Sequence, residues 1–251
     1  MKVAAIQHDI VWEDPAANRS RLAPRIADAA ARGADLVVLA EMFASGFSMR
    51  TDRIAEPWDG PSVQFLLEQA TAHGVAVCGS VAEVPAEGGL PRNRFVIALA
   101  DGTVHRYAKI HPFTYGGESE HYAAGETTCT VTIGDVRCSF FVCYDLRFAD
   151  SFWALADRTD CYVVTANWPA VRSPHWIPLL RARAIENQAY VVGVNRVGSA
   201  PGLDYAGESI VVDPWGENVA AAGDGETVLV ADIDPDRVTR IRADFPFLAD
   251  R

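Results

Sequence analysis

Short apolar runs alternate along the chain with stretches of helical period. Lys2–Ile10 opens with Val3-Ala4-Ala5-Ile6, an unbroken apolar run of the kind that forms a strand buried on both faces. A helix is predicted over Ala16–Arg32 and stopped by Gly33, with Pro24 expected to kink it or delay its start. Ala34–Ala40 is rich in Val and Leu and reads as the next strand, with Glu41 at its end. Val63, Leu66, Leu67 and Ala70 fall at i, i+3, i+4 and i+7, an amphipathic helix that Gly74 ends. Val75–Val81 is the following strand. Phe95–Ala100 and Thr103–Ala108 flank Asp101-Gly102, a hairpin signal, and the second arm carries Lys109 at its end.

Residues 110–128 are rich in Gly, His and Tyr without a clear period and read as an ordered loop over a site. Thr130–Ile133 and Val136–Val142 flank Gly134-Asp135, a second hairpin whose second arm ends at Cys143. A helix is predicted over Arg147–Asp157 and a strand over Tyr162–Ala166. Ser173-Pro174 looks like a helix opening, serine as N-cap and proline at the first position, and the helix runs to about Gln188. Tyr190–Val197, Ser209–Val212 and Thr227–Ile233 complete the strands, and Asp234-Pro235 opens a last helix. Strand–helix–strand units mixed with tight hairpins exclude a purely parallel, doubly wound sheet. The expectation is an α/β chain with mixed sheets and helices packed outside. No repeat or Pro/Ser-rich linker interrupts it, so residues 1–251 are expected to form one domain.

Composition narrows the function. A hydrophobic fraction of 49% and a charged fraction of 22% fit an ordinary globular chain. The formal net charge of −11 repels phosphate backbones and anionic lipid surfaces, so neither nucleic acid nor membrane is an expected partner. A small anionic substrate stays open, because one local arginine outweighs the global sign. The first apolar run breaks at Gln7, too early for a secretory signal, and no stretch approaches the ~18 apolar residues of a membrane span. A cytoplasmic protein is expected. The cysteines are Cys78, Cys129, Cys138, Cys143 and Cys161; with an odd count and no Cys-x-x-Cys, neither a disulfide framework nor a zinc site is expected.

Three polar residues share one placement. Glu41, Lys109 and Cys143 each follow a predicted strand, where rigid elements present side chains to a cleft. Taken singly, Glu41 reads more readily as a surface carboxylate at the start of a loop and Lys109 as a solvated strand end, and periodicity alone does not bring the three together. Their chemistry suits a meeting. A thiol of pKa about 8.5 is mostly neutral at pH 7, and the thiolate is the attacking species. A nearby lysine cation should lower that pKa, and a carboxylate can take the proton. Lysine can also stabilise the oxyanion formed on attack at a carbonyl. A helix opening just after Cys143 would add its N-terminal N–H groups beside the sulfur.

The blocks around these residues resemble the nitrilase superfamily of carbon–nitrogen hydrolases, which use a Cys–Glu–Lys triad. They are Val37-Val38-Leu39-Ala40-Glu41-Met42-Phe43, Tyr107-Ala108-Lys109-Ile110-His111 and Cys143-Tyr144-Asp145-Leu146-Arg147-Phe148, in the family's order. The likeness continues through Ala166-Asn167-Trp168-Pro169, Arg181-Ala182-Arg183-Ala184-Ile185-Glu186-Asn187-Gln188 and Val212-Asp213-Pro214-Trp215-Gly216-Glu217. It covers nearly the whole chain. It implies a four-layer α-β-β-α sandwich, usually paired as a homodimer, with no cofactor and no metal. It also implies a second glutamate supporting the triad, which matches Glu118 of Gly116-Gly117-Glu118-Ser119-Glu120, with Glu120 a neighbouring competitor.

The block after Cys143 and the Ala166-Asn167-Trp168-Pro169 block resemble the omega-amidase branch. That branch cleaves the terminal amide of 2-oxo dicarboxylic acid monoamides such as 2-oxoglutaramate, through a cysteine thioester, to ammonia and the 2-oxo acid. Tyr144, Asn167 and Arg172 are then the candidates for holding the small-molecule amide. Arg172 would meet its carboxylate, and Arg147 competes for that role. Nitrile and carbamoyl hydrolysis are alternatives within the superfamily. From other classes come a Cys–His enzyme using His111 or His175, and a non-catalytic thiol sensor or binding protein that kept the fold. A sensor would want a resolving cysteine, but Cys138 lies at an odd offset from Cys143 on one strand and so points to the opposite face.

Overall fold

Strands buried on both faces carry apolar residues at odd and even positions alike, and the first strand is of this kind. The structure, a computed structural model, describes residues 1–250. In the strand Lys2–Gln7, Val3 and Ala5 face one apolar cluster, and Ala4 and Ile6 face another. The strand Leu36–Val38 divides in the same way, with Leu36 and Val38 on one side and Val37 on the other. The first cluster fills the space between the two sheets and continues through the second sheet to the helices outside it. The second lies between one sheet and the helices Pro15–Ala31 and Pro61–His73, which cover it.

The first sheet has seven strands. Its main path runs Thr227–Asp232, Lys2–Gln7, Leu36–Val38, Ala76–Val84, Arg92–Ala98, Val104–Ala108. Lys2–Gln7, Leu36–Val38 and Ala76–Val84 pair in parallel through helical crossovers, and the three remaining pairs of the path are antiparallel. The second sheet has six strands, ordered Asn218–Ala221, Ile210–Val212, Tyr190–Asn195, Cys161–Ala166, Val136–Val142, Thr130–Ile133. Helix Ser173–Asn187 packs on its outer face with the short helix Ala149–Trp153. Facing sheets with helices outside each make the expected α-β-β-α sandwich, and parallel and antiparallel pairs mix as the hairpins required.

Several local expectations change. Pro24 neither kinks nor delays its helix, which runs unbroken over Pro15–Ala31 from an Asp14 cap. Pro24 and Ser20, whose carbonyl loses its partner, are both exposed, so water can satisfy that oxygen. Ser173 lies inside its helix; Arg172 holds the cap position and no side chain caps it. The predicted helix Arg147–Asp157 is three short pieces, Cys143–Arg147, Ala149–Trp153 and Ala156–Arg158, the first and last of 3-10 type. The loop 110–128 contains a 3-10 turn, Thr114–Gly116, and one helical turn, Glu118–His121. The ribbon formed by Val197–Ala200 and Leu203–Ala206 has no counterpart in the pattern reading.

Candidate active site

Glu41 follows the strand Leu36–Val38 in a sharp turn. Met42 adopts a left-handed φ of 43°, costly for a side chain with a Cβ, and two bonds hold it there. Its N–H donates to Ser80 Oγ at 2.9 Å, and its carbonyl accepts from Gly46 N–H at 2.8 Å. Lys109 ends the strand Val104–Ala108, its N–H donating to the Asn93 carbonyl at 2.9 Å. Cys143 ends Val136–Val142 on an elbow with φ of 45°. Asp145 fixes that elbow. One of its oxygens accepts from Val142 N–H at 3.0 Å and Tyr107 Oη at 2.7 Å, and the other lies 2.9 Å from His111 N–H and 3.0 Å from His111 Nδ1.

The three strand ends meet. Lys109 Nζ lies 3.1 Å from Glu41 Oε1 and 2.7 Å from Glu118 Oε2, and all three side chains are at most 2% exposed. Glu118 also accepts from Phe113 N–H at 2.6 Å, which ties the loop to the lysine. Glu120 is exposed, and it is Glu118 of the two glutamates that reaches Lys109. Asn167 donates both its backbone N–H, at 2.7 Å, and its side-chain amide to Glu41, to Oε2 and to the carbonyl respectively. Glu41 and Lys109 therefore come from one sheet, Cys143 and Asn167 from the other. Thr165 Oγ1 donates across the same gap to the Leu39 carbonyl at 2.6 Å.

A cavity of about 190 Å³ opens over Cys143. Phe47, Met49, Phe113, Trp168, Pro169, Leu203 and Tyr205 give it apolar walls, and Tyr144, Arg147, Asn167 and Arg172 also line it. All three predicted substrate contacts thus reach the cavity, and Asn167, which gives its backbone N–H and one amide hydrogen to Glu41, has a side-chain oxygen with no partner. Arg172 stacks over Phe113 at 5.2 Å and Arg147 over Trp168 at 4.7 Å. Neither arginine makes an ion pair among the described residues, where the ion-paired arginines sit mostly on the outer surface.

A carbon–nitrogen hydrolase family model matches residues 2–243. The chain belongs to the carbon–nitrogen hydrolase family. It is similar to the omega-amidase YafV of Escherichia coli, 39% identical over 99% of this chain and 91% of that protein. It is also similar to the 2-oxoglutaramate amidase of Bacillus subtilis, 32% identical over 99% of this chain and 96% of that one. Among solved structures it resembles XC1258 of Xanthomonas campestris, a CN-hydrolase superfamily protein with an arsenic adduct in its active site. The TM-score is 0.95 and the identity 37%, over 100% of this chain and 97% of that one. The protein is an amide-hydrolysing enzyme.

The electrostatics of this hydrolase depart from the expectation for its thiol. Burial pushes the Cys143 thiol well above its ordinary value. The Glu41 carboxylate raises it further, Lys109 pulls it down, and Glu118 raises it again. Lys109 therefore does not offset the rise that burial and the two neighbouring glutamates impose on the thiol. The 3-10 turn after Cys143 is too short for a developed helix dipole to reverse this. Burial also works against the Lys109 charge, but Glu118 and then Glu41 outweigh it and hold the ammonium above its usual pKa. Burial raises the Glu118 carboxyl, against the opposing pull of Lys109.

The Cys–His alternative finds no support in the hydrolase. His111 is turned to Asp145 and stacked on Phe148 at 3.7 Å, and His175 is exposed beside Arg147 Nη2 at 3.1 Å. Cys138 stands beside Cys161 in the second sheet, buried in the core. No group of three or more metal-ligating side chains occurs among the described residues, and no described helix is long and apolar enough to cross a membrane. Sequence reasoning missed Asn93, Ser80 and Asp145. The pattern starts this strand at Phe95, whereas it runs Arg92–Ala98, so Asn93 fell outside the predicted element and carried no signal.

Proposed function

We propose that the protein is an omega-amidase, cleaving the terminal amide of a short 2-oxo dicarboxylic acid monoamide such as 2-oxoglutaramate. The observation that carries this reading is the pair of guanidinium groups without carboxylate partners, Arg172 and Arg147, in the cavity that holds Cys143. Exposed arginines need no explanation, but cations lining an apolar cavity suit a ligand carboxylate, which guanidinium binds in a two-point fork. The names of the relatives from Escherichia coli and Bacillus subtilis point the same way.

Cys143 is the nucleophile in this reading. Its thiol is protonated at rest and hydrogen-bonded to Glu41. As sulfur attacks the amide carbon, its proton passes to the Glu41 carboxylate and the carbonyl electrons move to oxygen. Lys109, held charged, and the Tyr144 N–H, at the unpaired start of the 3-10 turn, face that oxyanion. Collapse breaks the carbon–nitrogen bond; Glu41 returns its proton to nitrogen and ammonia leaves. Glu41 then takes a proton from water, which attacks the thioester, and sulfur leaves with that proton as the 2-oxo acid forms. Glu118 keeps Lys109 aimed and charged throughout. Binding energy from the remote carboxylate positions the amide against the sulfur. Glutamine would bring an ammonium to the α carbon, costly to desolvate in an apolar-walled cavity without a carboxylate to meet it.

An ammonia-release screen of 2-oxoglutaramate, glutamine, asparagine, carbamoyl amino acids and simple nitriles tests the proposal. 2-Oxoglutaramate should exceed glutamine in kcat/KM. A preference for nitriles or carbamoyl compounds over every amide would overturn the substrate assignment and leave the Cys–Glu–Lys chemistry standing.

A further inference from the structure

Counting acceptor sites on Glu41 singles out a partner outside the triad. Each carboxylate oxygen offers two lone pairs. Oε1 of Glu41 accepts from Lys109 Nζ at 3.1 Å and from Asn93 Nδ2 at 2.7 Å, so both its sites are filled. Oε2 accepts from the Asn167 N–H at 2.7 Å, which leaves one site open. The second hydrogen of the Asn93 amide reaches Glu118 Oε1 at 3.1 Å. One side chain thus bridges the two carboxylates that share Lys109.

The orientation of that amide is fixed from behind. Ser80 Oγ accepts the Met42 N–H at 2.9 Å, so its own proton goes to Asn93 Oδ1 at 2.8 Å and turns Nδ2 toward the carboxylates. The Asn93 carbonyl accepts the Lys109 backbone N–H at 2.9 Å, so this residue is bonded to both carboxylates and to the backbone that carries the ammonium. Asn93 is 1% exposed and Ser80 fully buried, and solvent cannot stand in for either.

We propose that Asn93 is a positioning residue that directs the proton leaving Cys143 onto Glu41 Oε2 and holds the two carboxylates in place through a donor shared between them. The proposal rests on Glu41 acting as the base. Two buried carboxylates resist joint ionisation, and one lysine compensates only one of them. A neutral donor shared by both favours their charged forms without adding a cation that would weaken Glu41 as a base. With Oε1 saturated, the open site on Oε2 is the one left for the thiol proton.

Two variants test this. Asn93→Leu removes both donors at similar volume. Asn93→Asp keeps the shape and the acceptor for Ser80 while replacing the donor by a third acceptor. The readouts are kcat/KM for 2-oxoglutaramate as a function of pH, and the pH dependence of Cys143 alkylation by iodoacetamide, which needs no substrate. Losing a donor to the ionised pair favours its protonated form. The acidic limb should therefore move up by about one pH unit or more in both variants, farther in Asn93→Asp, with kcat falling more than KM rises. A residue that merely packs would lower the rate and leave the limb in place, so limbs coincident with wild type in both measurements overturn the proposal. If Asn93→Leu does not fold, Asn93→Asp decides alone. Glu41→Gln run in parallel separates the two levels. An active Glu41→Gln enzyme with the wild-type limb removes the base and this proposal with it; an inactive one with unmoved Asn93 limbs removes only this proposal.

Discussion

Replacing Lys109 by methionine tests the whole buried cluster. The change keeps length and removes one charge. It deletes the contacts at 2.7 Å to Glu118 and 3.1 Å to Glu41, and leaves two fully buried carboxylates with only the Asn93 amide between them. Breaking a buried pair by removing one partner costs about 3–5 kcal/mol while the abandoned charge stays ionised. The pair escapes by binding a proton, and a proton on Glu41 removes the base. Loss of one oxyanion donor alone lowers kcat by about 10²–10³. Loss of a general base is worth about 10²–10⁴, but such effects overlap rather than multiply. We therefore expect kcat/KM for ammonia release to fall by at least ~10³ at neutral pH. Thermal unfolding supplies an independent reading. Without the lysine, the folded carboxyl pair titrates above its unfolded value. Stability from such groups is complete at low pH and is lost as pH rises through the folded pKa. The deficit against wild type should be smaller near pH 5 than near pH 8. A variant within about tenfold of wild-type kcat/KM, or a deficit that does not change with pH, would refute this account of the cluster.

Cys143→Ala should abolish turnover with little change in melting temperature, and in wild type iodoacetamide should label Cys143 ahead of Cys78, Cys138 and Cys161, which are fully buried; ammonia release and peptide mapping read the two. Arg172→Ala should depress kcat/KM for 2-oxoglutaramate far more than for an uncharged short amide such as butyramide, and equal losses would make Arg172 structural and shift attention to Arg147. His8 is buried and burial lowers its pKa from 6.5 to about 4, so the fold loses up to about 3 kcal/mol as pH falls through that window, because the unfolded chain takes up a proton that the folded one refuses. Melting curves of wild type and His8→Gln should converge in slope above about pH 6.5 and diverge below it, wild type being the steeper.

The three strand ends were legible because strand boundaries are set locally. Thr130–Ile133 and Val136–Val142 fall where the pattern put them, with Gly134 at φ of 60° in the turn between. Glu41 and Lys109 sit where apolar runs stop, and the family blocks identified the polar residue at each stop. What the pattern could not carry is pairing between distant strands. Asn93 is one more polar residue in a strand flanked by arginines until its neighbour Lys109 and the Glu41 turn are placed beside it. The helix after Cys143 failed for a tertiary reason. The Leu146 carbonyl is taken by the buried guanidinium of Arg183 at 3.1 and 2.8 Å, and Asp145 turns back to the Val142 N–H, so the backbone there serves the elbow rather than a continuous helix. The arms of the ribbon that carries Leu203 and Tyr205 are four residues each, too short for their alternation to stand out, yet the ribbon supplies a wall of the cavity.

Because Glu41 and Lys109 ride on one sheet and Cys143 on the other, turnover by the proposed mechanism acts as an alignment gauge for the molecule. A slip of one sheet past the other breaks no strand pairing and exposes little surface, so spectroscopy would register a native protein. The reacting groups would nonetheless part, and about 1 Å of misplacement is enough to cost ~10² in rate. The rings of Phe95 and Phe140, 5.2 Å apart across the gap, and of Tyr107 and Phe141, 5.8 Å apart, set that alignment. Trimming them should silence the enzyme at temperatures where it still looks folded.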